Sequence, residues 1–156
     1  MNIKVWGIIA FVGAIGFGLF QAMTMGEKSP IIAEGTLELS AELNDYALNA
    51  ETLFITIFDA ESTSPMPYGA IKERITPGAS GEFFKFLLTK EKMMMMGGGQ
   101  NGQIPKNIRI KARLDNDGMG GQDQPGDIVG SVASVPFGAT GVKIILDELI
   151  GHLDTE

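Results

Sequence analysis

Met93, Met94, Met95 and Met96 form the longest run of a single residue type in the sequence. A thioether is soft and polarisable, so the run admits two chemistries: coordination of Cu(I), or an adaptable apolar surface for a partner segment. Copper is the weaker reading. A copper site usually recruits cysteine or histidine as well, and the chain has no cysteine and one histidine, His152. In an extended segment the four side chains alternate between faces, so the plainest expectation is two in the core and two exposed. Asp115-Asn116-Asp117-Gly118 begins like a calcium loop, but Gly126 stands where the twelfth-position glutamate belongs. A turn and loop between strands is the better reading. Catalysis has little to stand on. There is no cysteine nucleophile, His152 lies near the C-terminal end, and no phosphate-cradling glycine loop joins a strand to a helix. A non-enzymatic protein without metal or cofactor is expected.

A second cluster is cationic. Asn107-Ile108-Arg109-Ile110-Lys111-Ala112-Arg113-Leu114 alternates cleanly, which turns Ile108, Ile110, Ala112 and Leu114 inward and Arg109, Lys111 and Arg113 to the opposite face. Lys72 and Arg74, two apart on another strand, extend that face. It reads either as a solvated, edge-protecting surface or as a docking stripe for an acidic partner. The formal charge of −7 argues against nucleic acid.

The elements that must carry these residues are strands. From Glu34 onward the hydrophobic period is two, broken by Pro, Gly, Asn and Asp clusters. The pattern predicts strands over 34–40, 52–60, 67–75, 81–88, 107–114, 127–135 and 141–147. Seven strands at that spacing predict an all-β domain, an antiparallel β-sandwich of Ig-like or Greek-key type. Leu53, Ile55 and Ile57 alternate with Phe54 and Phe58, which predicts a central strand covered on both sides. Helix is expected to be scarce, with a short turn at 41–49 and another at 146–153. The Met93–Met96 run and the glycines after it read as low-complexity and mobile, and 115–126 as a long polar connection.

The N-terminal region differs in kind. Val5 to Met25 is 21 residues long and contains no charged side chain. At about 1.5 Å rise per residue that length crosses a hydrocarbon core of roughly 30 Å. The stretch exceeds the apolar core of a cleaved signal peptide, and Phe20-Gln21-Ala22 makes a poor cleavage site. Residues 1–30 are thus expected to be a retained transmembrane helix, inserted in the lipid bilayer, and residues 31–156 an extracytoplasmic domain. Ala10, Ala14, Gly18 and Ala22 recur every fourth residue, so they line one face where another membrane helix can pack closely.

Several short runs follow one order along the chain. They are Glu34-Gly35-Thr36-Leu37-Glu38-Leu39-Ser40, Thr52-Leu53-Phe54-Ile55, and Pro65-Met66-Pro67 leading into Ala70-Ile71-Lys72-Glu73-Arg74. The Met-rich segment, Ile110-Lys111-Ala112-Arg113-Leu114, Gln124-Pro125-Gly126-Asp127-Ile128-Val129-Gly130 and Pro136-Phe137-Gly138-Ala139-Thr140-Gly141-Val142-Lys143 complete the series. In order and spacing these resemble the C-terminal periplasmic domain of the c-type cytochrome biogenesis proteins called CycH or CcmI. The similarity spans about Gly35 to Asp147. The resemblance implies a single-pass protein of the bacterial inner membrane with its soluble domain in the periplasm. It further implies an accessory role in presenting apocytochrome c to the haem-ligation machinery. The family's tetratricopeptide repeats have no counterpart here, so capture of apocytochrome by repeats does not carry over. What carries over is a docking module. Met93, Met94, Met95, Met96, Arg109, Lys111 and Arg113 are its candidate partner-binding residues. A small non-catalytic subunit of a respiratory complex containing c-type cytochromes is the alternative expectation.

Overall fold

The computed structural model describes residues 29–100 and 102–151. The period-two pattern sets its architecture: β1 (Ile31–Leu39), a 3-10 turn (Ala41–Ala47), β2 (Thr52–Asp59), β3 (Gly69–Arg74), β4 (Gly81–Thr89), β5 (Met94–Met95), a single helical turn α1 (Gly97–Gln100), β6 (Asn107–Asp115), β7 (Ile128–Pro136), β8 (Ala139–Leu146) and β9 (Glu148–Leu149). These nine strands form two sheets, one in the order β4-β1-β8 and the other β5-β3-β2-β6-β7-β9. The seven long strands fall where the alternation predicted them.

The core lies between the sheets. β2 and β6 pair antiparallel with Leu53 opposite Leu114, Ile55 opposite Ala112 and Ile57 opposite Ile110. Opposed residues share a face, so this register joins two aliphatic rows into one buried surface. Leu37, Phe86, Leu88, Ile144 and Leu146 of the other sheet complete the same cluster. Full burial of each large aliphatic side chain contributes about 1.5–3 kcal/mol relative to exposure. As predicted, β2 lies inside its sheet, between β3 and β6.

Three expectations are corrected. The pairing is not antiparallel throughout, because β8 runs parallel to β1, with Gly35 opposite Val142 and Leu37 opposite Ile144. After β7 the chain crosses at Phe137-Gly138 to the other sheet, where the Gly138 N–H donates to the Ile32 carbonyl. The crossing brings backbones into contact. A Cβ at Gly130 would sit 2.0 Å from the carbonyl oxygen of Ile145, so β7 passes β8 only at a residue without a side chain. Second, 148–149 is a strand paired with Ile128 and Val129 rather than a helical turn. The Asp147 N–H bonds Val129 and the Ile150 N–H bonds Asp127, which holds the chain along β7. Third, the Met–Gly segment folds into β5 and α1 instead of remaining irregular.

Residues 1–28 lie outside the described residues, and with them fall the expected spanning helix and its packing face of Ala10, Ala14, Gly18 and Ala22. No helix among the described residues is long and apolar enough to cross a membrane.

Candidate functional site

Alternation that buries one face of β2 and β6 creates the site on the other. Across the β2–β6 ladder Phe54 faces Arg113, Thr56 faces Lys111 and Phe58 faces Arg109, while β3 sets Lys72 opposite Phe54. Each ring therefore meets a cation. The Arg109 guanidinium lies 4.5 Å from the Phe58 centroid, the Arg113 guanidinium 4.7 Å from that of Phe54, and the Lys72 ammonium 5.5 Å from the same ring. A cation over an aromatic face is attracted by the ring quadrupole, so these pairs fix both partners.

The connection between β6 and β7, residues 116–127, closes around Arg113. Its Nη1 donates to the carbonyls of Gly121 (3.1 Å) and Gln122 (3.0 Å), and its Nη2 to that of Met119 (2.9 Å). Asp115 (3.2 Å), Asp123 (3.6 Å) and Asp127 (3.7 Å) surround the same group, which is only 5% exposed. Lys111 pairs with Asp123, and the Lys72 ammonium donates to the Gly118 carbonyl at 2.6 Å. Asp115 also accepts the N–H groups of Asp117 and Gly118, which sets the turn that starts the loop. Burial pushes the Asp115 carboxyl above the ordinary range, against the opposing pull of the Gly118 N–H and Arg113. On Asp117 the Met119 N–H, which it accepts, draws the carboxyl below that range. The aspartates of this loop thus serve the guanidinium and the turn. Among the described residues no group of three or more His, Cys, Asp or Glu is arranged to hold a metal.

The facing wall comes from the methionine run. Met93 is 6% exposed and joins the core, Met94 is 72% exposed, Met95 packs against the core and Met96 is half-buried. The Met96 N–H bonds the Tyr68 carbonyl, which anchors the end of β5. The following glycines serve close packing. A Cβ at Gly99 would lie 2.4 Å from both the Tyr68 carbonyl oxygen and the Met95 methyl. That close approach gives Gly99 a packing role.

Between the walls is a groove of about 1070 Å³, floored by Phe54, Thr56 and Phe58 and flanked by Pro65, Pro67, Met94, Met96, Lys72, Lys92 and Gly120–Asp123. Of the residues singled out from sequence, Met93, Met94, Met96, Lys111 and Arg113 line it together. Met95 turns to the core, and Arg109 stands exposed over Phe58. The open basic stripe is corrected in one respect: the Arg113 guanidinium is buried and held by carboxylates and carbonyls of its own loop and strand. Arg74 pairs with Glu51 instead of extending the groove. Phe54, Phe58, Pro65, Pro67 and Lys92 were not singled out as site residues. The signal was present in the Phe54/Phe58 alternation, which by itself predicted a covered face. Comparison with family models, with curated proteins and with solved structures finds no match for this chain.

Proposed function

We propose that this protein is a membrane-anchored accessory factor in c-type cytochrome maturation whose extracytoplasmic domain docks apocytochrome or a haem-ligation component. The observation that carries docking is the groove: an aromatic floor, an exposed Met94 and cationic side chains open to a partner on one sheet face. Apolar anchors inside a polar rim are the usual composition of a recognition site. The cytochrome context rests on the ordered resemblance to the CycH/CcmI periplasmic domain, and the bacterial inner-membrane location on the uncharged Val5–Met25 stretch. The finer Ig-like, Greek-key reading of the two sheets belongs with this proposal. Its support is the order of seven long strands around one core, with the parallel β1–β8 pair as a departure from a purely antiparallel plan.

The test is to isolate the tagged full-length chain from native membranes in mild detergent and to record both its partners and the haem absorption spectrum. Haem-free association with ligation components or apocytochrome is the expected result. Stoichiometric haem with oxidase or reductase subunits would replace this reading with the structural-subunit alternative, and neither outcome would sink both.

A further inference from the structure

The cations of the groove are not equivalent. Lys111 and Arg113 are held by Asp123, whereas no carboxylate among the described residues lies within ion-pair distance of Lys72 or Lys92. With Arg113 enclosed by Asp115, Asp123 and Asp127 and Lys111 held by Asp123, the cations the groove leaves without a carboxylate are Lys72 and Lys92, beside Glu91, in a chain of net charge −7. A positive site on an otherwise acidic protein selects for negative charge through complementary potentials and repels like-charged competitors elsewhere on the surface.

The backbone beside the groove adds a second constraint. β5 pairs only with Gly69 and Ala70 of β3, so the outer edge of β3 from Ile71 to Arg74 has no strand partner among the described residues. An unpaired edge is a template for an added strand, whose main-chain bonds supply affinity and whose alternate side chains supply specificity. Lys72 stands on that edge, faces Phe54 and lines the groove, so a strand laid there turns every second side chain to the Lys72 and Phe54 side of the sheet. The charged edge that discourages apolar strands in general becomes selective for a strand bearing carboxylates.

We infer that the groove receives an extended segment of a partner protein, added along the open edge of β3 beside the end of β5, with apolar side chains toward Phe54 and Met94 and flanking carboxylates on Lys72 and Lys92. This inference rests on the docking reading of the same groove and names the chemistry of what docks. Apolar contact supplies the anchor, and the two lysines set register and reject basic segments.

The test uses the full chain in detergent and two fluorescein-labelled peptides, Gly-Asp-Leu-Phe-Leu-Asp-Gly and Gly-Lys-Leu-Phe-Leu-Lys-Gly, read by fluorescence anisotropy. Binding of the acidic peptide at least about tenfold tighter than the basic one is expected, weakening from about 50 mM to about 300 mM salt as screening grows. Lys92→Glu alone should reduce that preference, and Lys72→Glu with Lys92→Glu should invert it. Both lysines are exposed, and circular dichroism checks that the variants stay folded. Equal binding of the two peptides, binding of neither, or a preference untouched by charge reversal overturns the inference, as does binding of sodium oleate alone, which assigns the groove to a small amphiphile. A photo-crosslinker in place of Met94 separates the two levels. Capture of a ligation component that survives both lysine reversals keeps the docking reading and overturns the acidic segment. Loss of all capture at Met94 while native co-isolation persists removes the groove from docking altogether.

Discussion

β2 and β6 show two faces built from alternate residues of the same strands, and the faces work by different physics. On the inner face Leu53, Ile55, Ile57, Ile108 and Ile110 are aliphatic and wholly buried, so shape and volume decide their energetics. On the outer face Phe54, Thr56 and Phe58 stay half-buried and are organised by Arg109, Lys111, Arg113 and Lys72. One face is fixed by exclusion of water, the other by charge geometry at a surface water still reaches. A single alternation thus separates the face that holds the domain together from the face it leaves open beside the groove.

The sharpest way to break that division is at Arg113, an outer-face residue that, like its neighbour Asp115, is buried as an inner one is. Arg113→Ala leaves Asp115, Asp123 and Asp127 facing each other without their cation and should cost about 3–5 kcal/mol in urea denaturation. A loss below about 1 kcal/mol would show the loop to be held by something other than charge. Next comes a pair of adjacent residues. Ile57→Ala should cost about 2–5 kcal/mol, whereas Thr56→Ala on the outer face should stay within about 1 kcal/mol. Similar losses at both would erase the distinction between the faces. At the sheet crossing, Gly130→Ala should cost about 1–3 kcal/mol because the obstructing atom is a backbone oxygen rather than a flexible side chain.

Tyr68 sharpens the comparison from the other direction. Its hydroxyl is buried with no hydrogen-bond partner among the described residues, and burial raises its pKa. Tyr68→Phe should therefore stabilise the domain by about 1 kcal/mol, seen as a rise in Tm. The smallest expected effect is a slope with pH. Because the Asp115 carboxyl is raised in the folded chain, folding favours its protonated form between the ordinary carboxylate pKa and the raised one. Its contribution to stability consequently falls as pH rises through that window. Asp115→Asn should remove this component, so the wild-type-minus-variant stability difference should decline with rising pH there. A difference that instead grows with pH would place the Asp115 pKa below its ordinary value.

The strands were legible because alternation is a local property: the residues that bury β6 are every second residue of the strand itself. The fate of Arg113 was not legible. The same alternation that sends it outward is blind to a connection that returns over it, and the carbonyls it binds belong to a loop without periodicity. β5 and β9 are two residues each, too short to carry a period, and the parallel β1–β8 pair is decided by a crossing between sheets. The groove was half legible. Its methionines and basic residues stood out as types, while its floor was mistaken for a covered face because Phe54 and Phe58 look like core residues in any one-dimensional reading.

The parallel pairing of β1 with β8 also orders events in time. β1 is the middle strand of its sheet, yet one of its partners is among the last long strands to leave the ribosome. Closing so large a loop is entropically slow, and at about 5–20 residues per second the wait is itself several seconds. Until then β1 can pair only with β4, across the intervening β2 and β3, and the edge that β8 will take stays open. The first strand made is the last to be finished, which makes the nascent chain most vulnerable to misassociation just before β8 arrives.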